Sequence, residues 1–154
     1  MIRPKIRDSE IVDVQFGRGV TVVQPVNLYG CSLGDYSFVG PFVEIQKNVS
    51  IGARTKIQSH SFICELVEIG SDCFIGHGVV FINDLFSLGG PANGDTNLWK
   101  ATKIGDNVSI GSNATILPVN ICSKAVIGAG AVVVDDISEP GVYVGNPARQ
   151  VRKL

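Results

Sequence analysis

The chain has 154 residues, a length typical of one domain. Its formal net charge of -1 excludes the strongly basic surface of a nucleic-acid or anionic-membrane binder. A charged fraction of only 18% together with 18 glycines favours a fold of short strands and tight turns.

The N-terminal residues Met1–Lys5 are not followed by an apolar run. We therefore expect no signal peptide and no membrane-spanning segment, and we predict a cytoplasmic protein. The four cysteines contain no Cys-x-x-Cys pair, which favours buried thiols in a reducing compartment and predicts no metal site. They are Cys31, Cys64, Cys73 and Cys122.

A six-residue period runs along the chain. Val14, Val20 and Val26 keep a loose version of it, with one extra residue before Leu33. Large apolar residues then recur at Leu33, Val39, Ile45, Ile51, Ile57, Ile63, Ile69, Ile75 and Phe81, and a small or β-branched residue follows four places after each of the first eight. The period resumes at Ile104, Ile110 and Ile116, and after a one-residue slip near Pro118 it continues at Ile121, Ile127 and Val133.

Six residues form one short strand and one bend, and three such units close a triangular coil of 18 residues. Coils of this kind stack at the inter-strand spacing of about 4.8 Å. The large residue and the small one four places later both point inward and fill the prism. Since the 3.6-residue period of an amphipathic helix is absent, the pattern predicts a solenoid.

The pattern [Ile/Val/Leu]-Gly-x-x-[small]-x, over about residues 14–146, resembles that of the hexapeptide-repeat acyltransferases. The ending Gly145–Arg149, Gly-Asn-Pro-Ala-Arg, is similar to the one that follows the last coil in this family. The resemblance implies left-handed coiling. We therefore predict one all-β domain over 1–154, a left-handed parallel β-helix with one long protruding loop and a short C-terminal tail.

The long loop interrupts the repeat at about 84–102 and contains the only tryptophan, Trp99. Loops longer than about 12–15 residues are uncommon in compact domains and tend to be functional. Its apolar residues, Leu85, Phe86, Leu88, Leu98 and Trp99, favour an arm that packs on a neighbouring subunit. The alternative is a loop folded back on its own prism.

Residues 18 apart lie above one another in such a prism. One corner then carries Lys47, Glu65 and Asn83, with Asp84 beside the last. A second corner carries Ser59, His60 and His77, and continues upward as Ser112, Asn113, Ala129 and Gly130.

The second corner suits acyl transfer from coenzyme A. A wall of small residues lets this long, flexible molecule approach the backbone closely, and the predicted wall is Gly111, Ser112, Ala129 and Gly130. Arg149, in the cationic tail, is the candidate partner for a phosphate of the coenzyme. A backbone N–H near Gly111 is the candidate oxyanion donor.

His77 is the candidate general base, because an unperturbed imidazole titrates near neutrality. His60 is the alternative base and a candidate substrate ligand. Glu65, Asn83 and Asp84 are the candidates for holding a sugar or its amine. The alternatives are that these side chains are solvated corner residues and that the departing thiolate takes the proton.

The segment Gly76–Asp84, with the Gly-Gly-Pro that comes later in the loop, is similar to enzymes that N-acylate nucleotide-linked 3-amino sugars, such as dTDP-3-amino-3,6-dideoxyhexoses, for surface polysaccharides including lipopolysaccharide. The resemblance implies acetyl-CoA as co-substrate and a homotrimer with sites between subunits. An O-acetyltransferase acting on a sugar or small hydroxy acceptor and a non-catalytic β-helix scaffold remain alternatives. A γ-class carbonic anhydrase shares the fold but needs three zinc-bound histidines, and this chain has two.

Overall fold

A computed structural model describes residues 8–154. The expectation about a signal peptide falls largely on residues 1–7, outside the described part. Within residues 8–154 no helix has the length and apolar character needed to cross a bilayer.

Three sheets of very short strands form the walls of a triangular prism. Sheet A contains β1 (Ile11–Val12), β4 (Asn27–Tyr29), β7 (Glu44–Ile45), β10 (Phe62–Ile63), β13 (Val80–Phe81), β16 (Thr115–Ile116) and β19 (Val132–Val133). Sheet B contains β2 (Gln15–Phe16), β5 (Ser32–Leu33), β8 (Ser50–Ile51), β11 (Val67–Ile69), β14 (Thr102–Ile104) and β17 (Asn120–Ile121). Sheet C contains β3 (Thr21–Val22), β6 (Phe38–Val39), β9 (Lys56–Ile57), β12 (Phe74–Ile75), β15 (Ser109–Ile110), β18 (Val126–Ile127), β20 (Gly141–Val144) and β21 (Arg149–Lys153).

Each strand pairs in parallel with the strand one coil away. Ile45 lies opposite Ile63 in sheet A, and Ile57 lies opposite Ile75 in sheet C, so the register repeats every 18 residues. Only β20 and β21 pair antiparallel among the described strands, as a hairpin above the last coil. The predicted left-handed parallel β-helix of hexapeptide repeats is confirmed.

The core is a single column inside the prism. Every large repeat residue from Leu33 to Phe81 is at most 4% exposed, and so is the small or β-branched residue four places after each of them up to Ile75. Downstream, Ile121 lies above Ile104 and Ile127 lies above Ile110, which confirms the predicted one-residue slip.

The predicted register of the first coil is wrong. Phe16, Val22 and Leu28 occupy the large inward position, opposite Leu33, Val39 and Ile45. The chain therefore loses one residue between Leu28 and Leu33, where an extra one was expected. Val20 and Val26 lie four places after Phe16 and Val22, and so occupy the second inward position.

One residue in six has a left-handed backbone at the corners. Between the first coil and the long loop these residues are Tyr36, Phe42, Asn48, Arg54, His60, Leu66, Asp72 and Gly78, and after the loop they include Asn107, Asn113, Lys124 and Gly130. At the first of them the Ser37 N–H donates to the Gly34 carbonyl at 3.2 Å, the pattern of a type II turn. A glycine often opens the turn because the coils approach closely: a Cβ on Gly52 would lie 2.4 Å from the Gly70 carbonyl carbon.

The long loop leaves after β13 and returns at β14, so the predicted excursion is present and begins about two residues earlier than expected. It contains one turn of 3-10 helix, Thr96–Leu98, capped by Asp95. Leu85, Phe86 and Leu88 are 48%, 60% and 80% exposed. Packing of this loop on a neighbouring subunit stays a prediction.

Candidate functional site

The corner between sheets C and A brings the predicted catalytic residues into one column. Ser59, His77, Ser112 and Ala129 share one turn position in successive coils. The next position carries Phe42, His60, Gly78, Asn113 and Gly130. Backbone bonds fix this stacking: the Gly78 N–H donates to the Ser59 carbonyl, the Asn113 N–H to the His77 carbonyl, and the Gly130 N–H to the Ser112 carbonyl, at 3.0, 2.8 and 2.9 Å.

His77 lies exposed in this column, with one ring nitrogen already engaged. Its Nδ1 is 2.9 Å from the Ser59 Oγ of the coil below. Gly78, the next residue, has a left-handed backbone, and a Cβ there would lie 2.5 Å from the Asn113 Oδ1. The close approach of the Asn113 side chain therefore requires glycine at this position. Since Nδ1 is the nitrogen beside Ser59, the Nε2 atom of His77 faces away from that serine.

His60 is part of an aromatic pair. Its ring stacks on Phe42 of the preceding coil, with centroids 4.9 Å apart and planes inclined by 30°. Both residues have left-handed backbones, so the turn conformation aims both rings outward along the corner. His60 thus lies directly below Gly78, one coil away. This position is compatible with binding a substrate and with a purely structural role in the stack on Phe42.

Backbone N–H donors are free at the upper end of this corner. Among residues 8–154 the Ser112 and Ala129 N–H groups have no acceptor. The Gly111 N–H, by contrast, donates to the Ile127 carbonyl at 2.8 Å. The predicted oxyanion donor near Gly111 therefore cannot be the amide of Gly111 itself, and Ser112 carries the free N–H beside it.

The corner between sheets B and C makes a useful comparison. There the corresponding N–H groups are bonded to side chains of the next coil: Ala53 to Ser71 Oγ, Ser71 to Asp106 Oδ1, and Asp106 to Ser123 Oγ. The corner of His77 instead carries Ala129 and Gly130, which have no such oxygen. Small residues here leave backbone groups available to a ligand.

The corner between sheets A and B collects the predicted substrate residues. The Glu65 carboxylate is 3.6 Å from the Lys47 Nζ and its side chain is only 12% exposed. Asn83 Nδ2 donates to the Glu65 carbonyl at 3.3 Å, and the Asn83 carbonyl accepts the Lys100 N–H at 2.9 Å. Tyr29 ends strand β4 at the same corner. Its pKa is raised chiefly by burial, and further by the nearby Glu44 and Glu65 carboxylates.

Asp84 organises the base of the long loop. Its Oδ1 accepts the Phe86 N–H at 2.9 Å and its Oδ2 accepts the Ala92 N–H at 2.7 Å. Both carboxylate oxygens are thereby committed to the loop backbone. Sequence alone did not reveal this clamp, because Ala92 is eight residues away across an irregular segment.

Arg149 stands at the top of the prism in β21. Its Nη1 is 3.2 Å from the Asp135 Oδ2 and donates to the Ala148 carbonyl at 2.8 Å. The Arg149 side chain is 63% exposed, so it remains accessible from solvent. An anion that binds here competes with Asp135.

The two polar corners are separate within one chain. Gly78 and Asn83 lie at opposite ends of one side of sheet A. At a rise of about 3.3 Å per strand residue, roughly 15 Å separates them. His77 therefore does not meet Glu65, Asn83 or Asp84 on a single prism.

The cysteines contribute no reactive thiolate. Burial raises the pKa of Cys31 to about 11 and that of Cys64 to about 12. Among residues 8–154 no three His, Cys, Asp or Glu side chains are grouped closely enough to hold a metal ion.

Two family models match the repeat. Residues 30–65 match the bacterial transferase hexapeptide (six repeats), and residues 101–134 match the hexapeptide repeat of succinyl-transferase. The bifunctional protein GlmU of Streptococcus uberis is 31% identical over 150 residues, which cover 93% of this chain and 32% of that protein. The chain thus spans about a third of the length of the curated relatives it matches.

Solved structures share the β-helix. A hexapeptide-repeat acetyltransferase from Vibrio cholerae, complexed with acetyl coenzyme A, has a TM-score of 0.69 and 28% identity over 81% of this chain and 71% of its own. A maltose O-acetyltransferase from Clostridium difficile has a TM-score of 0.65 and 26% identity, over 94% and 71% of the two chains.

The N-acyltransferase AntD of Bacillus cereus, in complex with dTDP and coenzyme A, has a TM-score of 0.73 at 18% identity, over 89% of this chain and 85% of its own. That likeness concerns the fold alone. The six-residue repeat, the two model matches and the β-helix together identify the chain as a hexapeptide-repeat protein that is similar to these transferases.

Proposed function

We propose that this protein is an acetyl-CoA-dependent acetyltransferase that acetylates the amino group of a nucleotide-linked amino sugar. One observation carries the proposal: an imidazole, His77, lies directly below backbone N–H groups that have no acceptor among the described residues. The Vibrio acetyltransferase, whose structure contains acetyl coenzyme A, shares this β-helix at 28% identity.

In the proposed reaction His77 removes a proton from the acceptor amine through Nε2. The amine nitrogen forms a bond to the thioester carbonyl carbon, and the developing oxyanion accepts a hydrogen bond from a free N–H such as that of Ser112. The carbon–sulfur bond then breaks, and the leaving thiolate takes the proton back from the imidazolium. Amide and free thiol are the products.

The coenzyme is proposed to lie along Gly111, Ser112, Ala129 and Gly130. Nothing lies within 4 Å of the space that a Cβ on Gly130 would fill, so this part of the corner is open. The phosphates of the coenzyme are assigned to the cationic top of the prism, where Arg149 would exchange Asp135 for a phosphate.

The acceptor is proposed to be an amino sugar, because the segment Gly76–Asp84 is similar to enzymes that act on such substrates. Glu65 is a suitable partner for sugar hydroxyls or an ammonium group, since its carboxylate is mostly buried. In this proposal the enzyme acts in the cytoplasm, on precursors of surface polysaccharide.

We further propose a homotrimer with the site between subunits. The outward residues of sheet B are polar throughout, from Gln15 to Asn120. The two sheets that meet at the His77 corner instead present apolar side chains, such as Phe62 and Val80 on sheet A and Phe74 on sheet C. A neighbouring copy packed there would also supply the second polar corner.

The test is thiol release from acetyl-CoA in the presence of dTDP- and UDP-linked amino sugars, with the matching hydroxy sugars as controls. We expect turnover with an amine and none with its hydroxy analogue. His77→Gln is expected to lower kcat by about 10²-fold or more while leaving acetyl-CoA binding intact. Failure to bind acetyl-CoA would contradict the enzyme proposal and favour a scaffold.

An O-acetyltransferase is the second candidate, favoured by the 26% identity to the maltose enzyme. The same chemistry serves a hydroxyl acceptor, with His77 removing the hydroxyl proton. Turnover with the hydroxy sugars of the panel would establish this alternative.

A further inference from the structure

The contact between His77 and Ser59 joins adjacent coils. Ser59 Oγ is 2.9 Å from Nδ1, and it is the only described side chain that hydrogen-bonds to this ring. Ser59 is half-buried at the turn, and its carbonyl accepts the Gly78 N–H. The coil that carries the imidazole therefore also holds the backbone of Ser59 in place. This pairing recurs nowhere else along the column, where Pro41, Ser112 and Ala129 occupy the equivalent positions.

A serine hydroxyl can either donate to or accept from a histidine nitrogen. If Oγ donates to an unprotonated Nδ1, the proton of the neutral ring sits on Nε2, and Nε2 cannot act as a base. If Oγ accepts from Nδ1–H, Nε2 carries the lone pair. Ser59 has no other side-chain hydrogen bond among the described residues, so its hydroxyl hydrogen is free to point away from the ring.

The protonated ring decides between these arrangements. An imidazolium carries hydrogens on both nitrogens, so Ser59 must accept from Nδ1 in that state. A base alternates between the neutral and the protonated ring in every turnover. Only the tautomer with Nδ1–H keeps the Ser59 contact unchanged in both states, so no reorganisation accompanies proton transfer.

We infer that Ser59 is a positioning residue that holds the neutral His77 in its Nδ1–H tautomer and directs the basic Nε2 toward the acceptor. This inference rests on the proposed function, because it concerns the same base. Ser59 touches neither substrate in this scheme and acts only through His77. The hydroxyl also restrains an exposed ring that would otherwise sample several rotamers.

The kinetic test compares Ser59→Ala with Ser59→Thr, which retains a hydroxyl. We expect Ser59→Ala to lower kcat about tenfold with KM for acetyl-CoA unchanged, and Ser59→Thr to recover most of that loss. Ser50→Ala, an exposed serine of the same coil in β8, is the matched control and should behave as the parent protein. Equal losses in Ser59→Ala and Ser59→Thr would overturn the inference.

The spectroscopic test needs no turnover. The ¹⁵N shifts of the imidazole nitrogens distinguish the two neutral tautomers, and His77→Gln assigns the His77 signals against those of His60. We expect Nδ1–H in the parent protein and a shift toward the Nε2–H form in Ser59→Ala. An Nε2–H tautomer in the parent protein, or no change in Ser59→Ala, would refute the role of Ser59.

The two proposals fail separately. If His77→Gln retains full activity, the base assignment fails, whatever the tautomer. If His77→Gln is inactive but Ser59→Ala has parental kinetics and tautomer, only the inference about Ser59 fails. In the His77→Gln background Ser59→Ala should cause no further loss, because a positioning residue has nothing left to position.

Discussion

Single hydroxyl groups inside the prism differ in whether they are satisfied. Ser61 Oγ donates to the Gly76 carbonyl at 2.9 Å, and Thr55 Oγ1 donates to the Gly70 carbonyl at 2.8 Å. Ser37 occupies the same inward position and is equally buried, but its Oγ has no hydrogen-bond partner among the described residues. Burying an unpaired hydroxyl costs free energy that an apolar side chain avoids.

We therefore expect Ser37→Ala to raise the free energy of unfolding by about 1 kcal/mol, and Ser61→Ala to lower it by a similar amount. Urea denaturation followed by circular dichroism measures both. Because the substitutions are chemically identical, the opposite signs isolate the hydrogen bond. Destabilisation by both would mean that Ser37 has a partner.

The residues that lie above one another were predictable wherever the 18-residue spacing applies. That spacing places Ser59 beneath His77, so their stacking followed from the sequence, whereas the hydrogen bond between them was not predicted. The double hydrogen bond of Asp84 did not follow, because it depends on how an irregular loop folds. Nor did the pairing of Arg149 with Asp135, since the tail leaves the repeat before Arg149.

At the scale of elements, ion pairs join adjacent coils at the corner between sheets B and C. Arg54 holds Asp72 of the next coil with two hydrogen bonds, Nε to Oδ1 at 2.7 Å and Nη2 to Oδ2 at 2.6 Å. These hydrogen bonds, together with the attraction of the guanidinium, lower the pKa of Asp72, against a smaller opposing effect of desolvation. Arg18 and Asp35 repeat the arrangement below.

A carboxyl group whose pKa is lowered by folding stabilises the fold above its unfolded-state pKa. That contribution is lost as pH falls through the folded-state value. Arg54→Gln should therefore destabilise the protein at neutral pH, and the difference from the parent should shrink in acid, below the ordinary pKa of an aspartate. Urea midpoints across a pH series at low salt measure this difference, which salt should also reduce.

Lys56→Gln provides the control, because it removes one positive charge from the same coil without an ion pair among the described residues. A parallel pH dependence in both variants would show that net charge, and not the Arg54–Asp72 pair, is responsible.

Strand register was predicted correctly from Leu33 onward but not before it. Each six-residue unit has two inward positions, and glycine after the large one marks the phase. In the first coil Val20 and Val22 are both β-branched apolar residues, so apolar spacing alone fits either of them. The pairing of Phe16 with Leu33 settles the phase, and Gly17, directly after Phe16, is the local signal that indicated it.

At the scale of the whole molecule, the prism folds with contacts between adjacent coils, whereas function is proposed to need more than one copy. The sequence predicted the solenoid well because its core depends only on a periodic pattern. The identity of the neighbour did not follow from that pattern, because the inward period constrains only the core of a single chain.

Replacing residues 85–99 by a short glycine–serine linker tests the loop as an arm between subunits. We expect the β-helix to remain folded, because β13 and β14 pair with strands outside the loop. We expect the trimer to dissociate at higher protein concentration than the parent, since Leu85, Phe86 and Leu88 would lose their partner surface. Analytical ultracentrifugation measures the dissociation.

The control is Asn93→Ser, a change in the same loop that removes no exposed apolar side chain. If the shortened protein dissociates like the parent, the loop packs on its own prism.

The loop also bears on how the chain assembles. Strand β11 pairs with β8 of the coil below across 18 residues, with Glu68 opposite Ser50. It pairs with β14 of the coil above across 35 residues, with Val67 opposite Thr102. The insertion therefore nearly doubles one loop that must close, and each doubling costs only about 0.6 kcal/mol of closure entropy. A repeat protein can thus acquire a long excursion at a corner for little thermodynamic cost, and coils on both sides retain the same register.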